Sequence, residues 1–340
     1  MNLKRRPTGS TGINCLHVLV TRACQLSCRY CRQSKQDLSM PDGMISDCVD
    51  LLLASDEEQV RLEWFGGEPL LRYDTIIRQS RAALLKAGKL GKKLKFVIAT
   101  NGFLLTPGRV RRLAELPLEY ILSIDGALPK QSYQRPFRSA PGKYPFWRLR
   151  AAIKELNRLK QEYFVNIVTL PGREGSLEDD VDYLLALGVT NFHFAYAMGV
   201  DWPLSASRAY FEKILRLRLS REKQGAGRFV LNVDSGSEPS LSCPLPSVDC
   251  DGAVYFGSVI PALEKNFPKA LAATKIGELR DFSRLSQLEV DRNTALRRVA
   301  GAYPAGSRKG RIINSNLRMG ALSRGLFAEI SGFRRPASRG

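Results

Sequence analysis

Between residues 15 and 200 the chain repeats one pattern, a short apolar run followed by a longer stretch of helical period. The strands read from it are Leu16–Val20, Gln59–Phe65, Lys95–Thr100, Glu119–Ile124, Tyr163–Thr169 and Asn191–Ala195. Between them lie helices at Met44–Ala54, Tyr73–Ala87, from Thr106-Pro107 onward, Phe146–Gln161, and a last one capped by Ser176 and running to Leu187. Strands separated by single helices imply βαβ units and a parallel sheet. Six such strands suit an α/β partial barrel or an open doubly wound sheet, and their continuous apolar character predicts cover on both faces. In either architecture reactive residues belong beyond the C-terminal ends of the strands. The unusual residues fall there: three cysteines after the first strand, Gly66-Gly67-Glu68 after the second and Asn101-Gly102 after the third. Ser123 and Asp125-Gly126 end the fourth strand, and Asn166 and Thr169 belong to the fifth.

Beyond Pro203 the pattern changes. Ser205 or Ser207 is expected to cap a helix to about Glu222, Phe229–Val233 reads as a short strand, and Cys243–Phe256 as a strand-turn-strand about Asp251-Gly252. Residues past about 300 are rich in Gly, Ser and Arg with no clear core-forming period, the composition of a partly disordered tail. The organisation expected is a flexible start over 1–13, a core domain over 14–222, an extension over 223–300 and a basic tail over 301–340.

Seven cysteines and no secretory h-region argue against a disulfide framework and make the cytoplasm the default location. No apolar run is long enough to span a membrane. The formal charge of +19 suits a nucleic acid, an acidic peptide or an anionic cofactor. It suits equally a solvated helix end around Lys86–Lys95 with a basic tail. No nucleic-acid module accompanies it, so nucleic acid is the minor reading.

Cys24, Cys28 and Cys31 have CxxxCxxC spacing, which lets three thiolates wrap one small metal site. A structural zinc site takes four protein ligands, and no fourth Cys or His lies near. Taken alone, the spacing still leaves zinc or redox-active thiols open. With Tyr30 before the last cysteine, however, it resembles the signature of the radical S-adenosylmethionine (SAM) superfamily. That resemblance implies a [4Fe-4S] cluster on Cys24, Cys28 and Cys31, its open iron chelating SAM, and reductive cleavage to a 5′-deoxyadenosyl radical that abstracts a substrate hydrogen.

Gly66-Gly67-Glu68-Pro69 resembles the family's GGEP motif, whose backbone holds the SAM amino group. Thr100-Asn101-Gly102 and Ser123-Ile124-Asp125-Gly126 resemble the third- and fourth-strand segments lining SAM. By the same resemblance Tyr30, Gly66, Gly67, Glu68, Asn101, Ser123, Asp125 and Asn166 are the expected cofactor-binding residues, with Val168 near the adenine. No catalytic base is identified; Glu162, Tyr196 and Asp201 are only candidates.

The string Phe65–Leu71 with the ATNG and LSIDG segments is similar to the SPASM/twitch group, which includes maturases of ribosomally made peptides and of sulfatases. Cys243, Val248–Tyr255 and Ile276–Leu279 resemble that group's C-terminal extension, but Gly257 stands where a cysteine is expected and none follows Cys250. The extension is therefore expected to be a cluster-free remnant, leaving one cluster per chain. Cys15 and Cys48 are expected to pack as small hydrophobes. The implied partners are a peptide or protein substrate, through a leader peptide, and an electron donor such as flavodoxin or ferredoxin. Competing readings are a sulfatase-maturase-like enzyme, a small-molecule radical SAM enzyme, and a non-catalytic metal-binding or nucleic-acid-binding protein.

Overall fold

The computed structural model describes residues 13–139, 145–223, 230–231, 241, 245–257 and 263–333. Six strands alternate with helices as the sequence pattern requires: β1 (Cys15–Thr21), β2 (Gln59–Gly66), β3 (Lys93–Thr100), β4 (Leu118–Ser123), β5 (Tyr163–Thr169) and β6 (Asn191–Tyr196). Each pairs in parallel with the next. A short β7 (Val230–Leu231) follows β6, and β8 (Pro246–Val248) adds in parallel on the free side of β1. Strands β9 (Ala253–Phe256) and β10 (Lys275–Glu278) continue antiparallel. The result is one open sheet in the order β10-β9-β8-β1-β2-β3-β4-β5-β6-β7, consistent with a partial barrel.

The period of two gives this sheet unlike faces. Leu16, Val18 and Val20, then Leu62 and Trp64, Phe96 and Ile98, Tyr120 and Leu122, Val165 and Ile167 form the main core. Helices α1 (Asp42–Leu53), α2 (Tyr73–Lys89), α5 (Phe146–Arg158) and α6 (Leu177–Ala186) bury apolar residues in the same core. Full burial of each large aliphatic side chain contributes about 1.5–3 kcal/mol, so this face dominates stability. The residues between them belong to the other face, which mixes apolar and polar side chains; His17 and Glu63 are buried there, while Glu119, Ser123, Asn166 and His193 are partly exposed. The apolar runs thus conceal a partly polar alternate set.

Helix α3 (Pro107–Leu113) starts where expected, Thr106 accepting the Arg109 N–H at 3.3 Å. Ser176 does not cap α6; its hydroxyl donates to Asp180 at 3.0 Å. In α7 (Leu204–Lys223) Ser207 lies inside the first turn and bonds Pro203 O. Helix α4 (Leu128–Gln134), after β4, has no counterpart in the sequence reading.

The C-terminal expectation is corrected. Residues 308–333 form a helix, α10, and Arg292–Gly301 forms α9. With α8 (Pro268–Thr274) they bury Phe256, Phe267, Ala270, Val299 and Ile313 in a second small core. Buried Asn316 fastens α10 beyond β6, accepting Gly199 N–H at 2.7 Å and donating to Val200 O at 2.8 Å. Apolar residues spaced widely among Arg and Gly hid this helix from a periodicity reading. Cys243 and most of Phe229–Val233 lie outside the described residues.

Candidate active site

The loop carrying Cys24, Cys28 and Cys31 leaves the C-terminal end of β1 and is held on two sides by backbone. On the β2 side, Gly67 N–H donates to Thr21 O at 2.8 Å and Glu68 N–H to Ala23 O at 2.9 Å. This contact is why glycines stand there. A Cβ on Gly66, whose φ is +138°, would lie 2.2 Å from Thr21 O, and one on Gly67 2.3 Å from Ala23 O. The two glycines thus let two loops touch.

On the other side the chain after α4 runs along the cysteine loop. Ser27 N–H donates to Pro136 O at 2.8 Å, Arg29 N–H to Gln134 O at 2.9 Å, and Arg138 N–H to Gln25 O at 3.0 Å.

Two buried carboxylates brace the site. Glu68, fully buried, accepts Thr100 Oγ1 at 2.7 Å, Asn101 N–H at 2.8 Å and Leu70 N–H at 3.0 Å. Burial raises its pKa to about 7, against the pull of those three donors. Asp125, also fully buried, takes a bidentate pair from Arg135 at 2.8 and 2.9 Å, the Tyr30 hydroxyl at 2.9 Å and the Val168 N–H at 3.0 Å. Asp125 thereby ties the cysteine loop, through Tyr30, to β5. Asn101 bridges too, its Oδ1 accepting Gln25 Nε2 at 3.1 Å while its Nδ2 lies 4.0 Å from Cys24 Sγ. Ser123 and Asn166 pair across β4 and β5 on the polar face, where Asn166 Oδ1 lies 2.8 Å from His193 Nδ1. Burial lowers the His193 pKa to about 4, so the ring is neutral at pH 7. Val168, Ala195 and Ala197 form a small apolar patch that includes Tyr30 at its edge.

Of the expected residues, Tyr30, Glu68, Asn101 and Asp125 join the cysteine loop's bracing network, Gly66 and Gly67 its backbone contact, and Ser123 and Asn166 the adjoining polar face.

The residues present fit an iron-sulfur cluster. Cys24 is buried and Cys28 and Cys31 are partly exposed, all three as free thiols. Burial pushes the Cys24 thiol up and the Cys28 thiol up to about 12, and the cations Lys35 and Arg135 respectively oppose it. Burial likewise disfavours charge on Lys35, but the sulfurs of Cys31, Cys24 and Cys28 outweigh it and raise its pKa. A buried arginine and a half-buried lysine beside three thiols suit a cluster of net negative charge. The three sulfurs do not form a set within 4.8 Å of one another, as the ligands of one small ion would.

Lys35, Arg135 and Gln134 were missed from sequence. A lysine four residues past the last cysteine is a readable signal. Arg135 and Gln134 reach the site only through tertiary packing.

Residues 18–184 match the family described as the Radical SAM superfamily. An uncharacterised protein of Methanocaldococcus jannaschii is 27% identical over 184 residues, covering 54% of this chain and 62% of that protein. An AdoMet-dependent heme synthase of Methanosarcina barkeri is 26% identical over 216 residues, 60% of this chain and 57% of that one. The chain therefore spans less than two thirds of the length of these curated relatives. Among solved structures, native anSMEcpe with bound AdoMet and Cp18Cys peptide superposes with a TM-score of 0.74 at 16% identity, covering 94% of this chain and 97% of that one. That likeness is one of fold. With the matched segment spanning β1 to α6 and the three cysteines on its first loop, the chain belongs to the radical SAM superfamily, whose cofactors are a [4Fe-4S] cluster and SAM.

Proposed function

We propose that this chain is a radical SAM enzyme that holds its cluster on Cys24, Cys28 and Cys31 and modifies a peptide or protein side chain. The observation that carries the cluster assignment is the two-sided backbone clamp on the cysteine loop, with half-buried Lys35 and buried Arg135 beside its thiols. When bound, the cluster and SAM supply reductive cleavage of SAM and a 5′-deoxyadenosyl radical able to abstract hydrogen. The protein's own part is positioning. Gly66 and Gly67 bring the β2 loop against the cysteine loop, and Glu68 and Asp125 fix both to β3 and β5. Asn101, Ser123 and Asn166 offer polar groups along the path to the apolar patch at Val168, where the adenine is expected to lie. Water exclusion matters at this end of the sheet, because a primary carbon radical is easily quenched.

A peptide substrate is supported by the polar, half-open face of the sheet, by the basic balance of the chain, and by the near full-length likeness to a fold that has been crystallised with a peptide. We read β8, β9 and β10 as a cluster-free, twitch-like extension of residues 223–300 on a core domain of 14–222. A leader peptide and a flavodoxin- or ferredoxin-type donor complete this reading. The heme synthase likeness favours a second one, radical chemistry on a tetrapyrrole.

The test is anaerobic incubation of reconstituted, reduced protein with SAM and either short peptides encoded beside its gene or an iron porphyrin. Formation of 5′-deoxyadenosine with a peptide mass change supports the proposal. A change confined to the porphyrin replaces the substrate, and absence of SAM cleavage overturns the enzyme assignment.

A further inference from the structure

On the polar face of the sheet, at the ends of β1 and β2 away from the cysteine loop, three metal-ligand residue types converge. Register places His17 opposite Glu63 and Cys15 opposite Arg61. Cys15, His17 and Glu63 are all buried, at 1, 6 and 8% exposure. Their ligand atoms lie within 4.8 Å of one another, the only such set among the described residues. We propose that Cys15, His17 and Glu63 form a second metal site, for one thiophilic divalent cation of the zinc class, separate from the cluster and independent of the substrate reading above.

Within this set hydrogen bonding satisfies Glu63 and Cys15 but leaves His17 without a partner. His17 Nδ1 lies 3.1 Å from Glu63 Oε2, yet neither ring nitrogen has a hydrogen-bond partner. Burying an unpaired polar group is costly, and a bound cation offsets that cost by taking a nitrogen lone pair. A weakly donating thiol completes the set: Cys15 Sγ stands 3.5 Å from Glu63 Oε1.

The spacings suit one small ion. Tetrahedral zinc with bonds of about 2.0–2.1 Å to N or O and about 2.3 Å to S sets ligand separations of roughly 3.3–3.6 Å. His17 Nδ1 and Glu63 Oε2 stand 3.1 Å apart, just below that range, while Cys15 Sγ is 3.5 Å from the other carboxylate oxygen; with all three ligand atoms within 4.8 Å of one another, the set closes on an ion by side-chain adjustment. Cys, His and Glu together are a borderline-soft donor set, which favours zinc over magnesium or calcium. Three protein ligands leave the fourth position for water.

Arg61 supplies the outer support such sites have. Its guanidinium bonds Glu63 Oε1 at 2.9 Å, and its Nε–H points to Cys15 Sγ at 3.5 Å. It orients the carboxylate with Oε2 toward His17 and stabilises negative charge on sulfur. Cys15 is then more than the small hydrophobe its place in a strand suggests. Four residues of strand separate His17 from the end of β1, about 13 Å at roughly 3.3 Å per residue, so the site does not compete for cluster irons.

The experiment is metal analysis of the cluster-loaded full-length protein, equilibrated anaerobically with zinc and desalted, beside cobalt titration followed by thiolate-to-cobalt charge transfer. The expected result is about one zinc per chain on top of the cluster iron. His17→Gln and Cys15→Ser should lose the zinc and keep the iron, which also reports that they fold. Arg61→Gln should bind zinc about 10–100-fold more weakly. A Cys24/Cys28/Cys31→Ala triple variant should retain its zinc, a readout that stands even if the His17 variant fails to fold. No zinc on the wild type, or zinc lost in the triple variant, overturns the site.

Discussion

Two cysteine-bearing segments of this chain sit within one sheet and are built for different ends. In the loop after β1, Cys24, Cys28 and Cys31 are free thiols beside half-buried Lys35 and buried Arg135, on a backbone clamped from both sides. In the β8–β9 hairpin, Cys250 is turned into the sheet and donates to Leu19 O at 2.9 Å. Its neighbour Asp249 pairs with Arg22 at 2.6 and 3.0 Å, and Glu264 takes the remaining Arg22 nitrogen at 2.7 Å. The first segment presents sulfur to a ligand, whereas the second uses sulfur and carboxylate to fasten the extension to the core. What decides a cysteine's role is therefore what surrounds it, since both segments carry a motif-like Cys near a strand end.

The largest effect should come from the contact between the β2 loop and the cysteine loop. Gly67→Val places atoms within 2.3 Å of Ala23 O, so the cysteine loop must move. Anaerobic reconstitution of this variant should lose most of its iron as well as SAM binding. Full iron with only SAM affinity reduced would show that the glycine serves the cofactor rather than the loop.

Next is the fastening of the extension. Arg22→Ala leaves Asp249 buried without its partner, at a cost of about 3–5 kcal/mol for breaking a buried pair. A thermal melt should show that loss while reconstituted iron stays at the wild-type level. Loss of iron in a still-folded protein would make Arg22 part of the cysteine loop's machinery.

A smaller effect concerns Glu68. Its pKa is raised by burial from the ordinary carboxylate range to about 7, so the folded state favours the protonated form. Stability from this group is full below the ordinary range and is lost as pH rises through about 7. Compared with Glu68→Gln, the wild type should lose relative stability between weakly acidic and neutral pH. Parallel pH profiles would place the Glu68 pKa back in the ordinary range.

The parallel strands were legible because each apolar run is bounded by a turn or a helix, and the site loops were legible because the parallel-sheet rule puts chemistry at strand ends. Asn101 and Asp125 were found this way, but not their partners. Gln25 and Arg135 meet them only after α4 packs back along the cysteine loop, and α4 itself carries too few apolar residues to announce a helix. The polar face was hidden for a related reason. In KFVIAT or YFVNIVT, apolar residues fill both faces at the strand centre, and only Asn166 betrays the alternate set. Helix α10 was lost to composition: its Arg and Gly content masks Ile313, Met319 and Leu326, which are buried.

The central claim, that one segment carries a cluster and the other does not, is tested most directly by iron and acid-labile sulfide per chain. Wild type, the Cys24/Cys28/Cys31→Ala triple variant and Cys250→Ser should be reconstituted side by side. The account predicts about four irons in the wild type, none above background in the triple variant and an unchanged count in Cys250→Ser. About eight irons in the wild type, falling to about four in Cys250→Ser, would contradict it and make the hairpin a second cluster site.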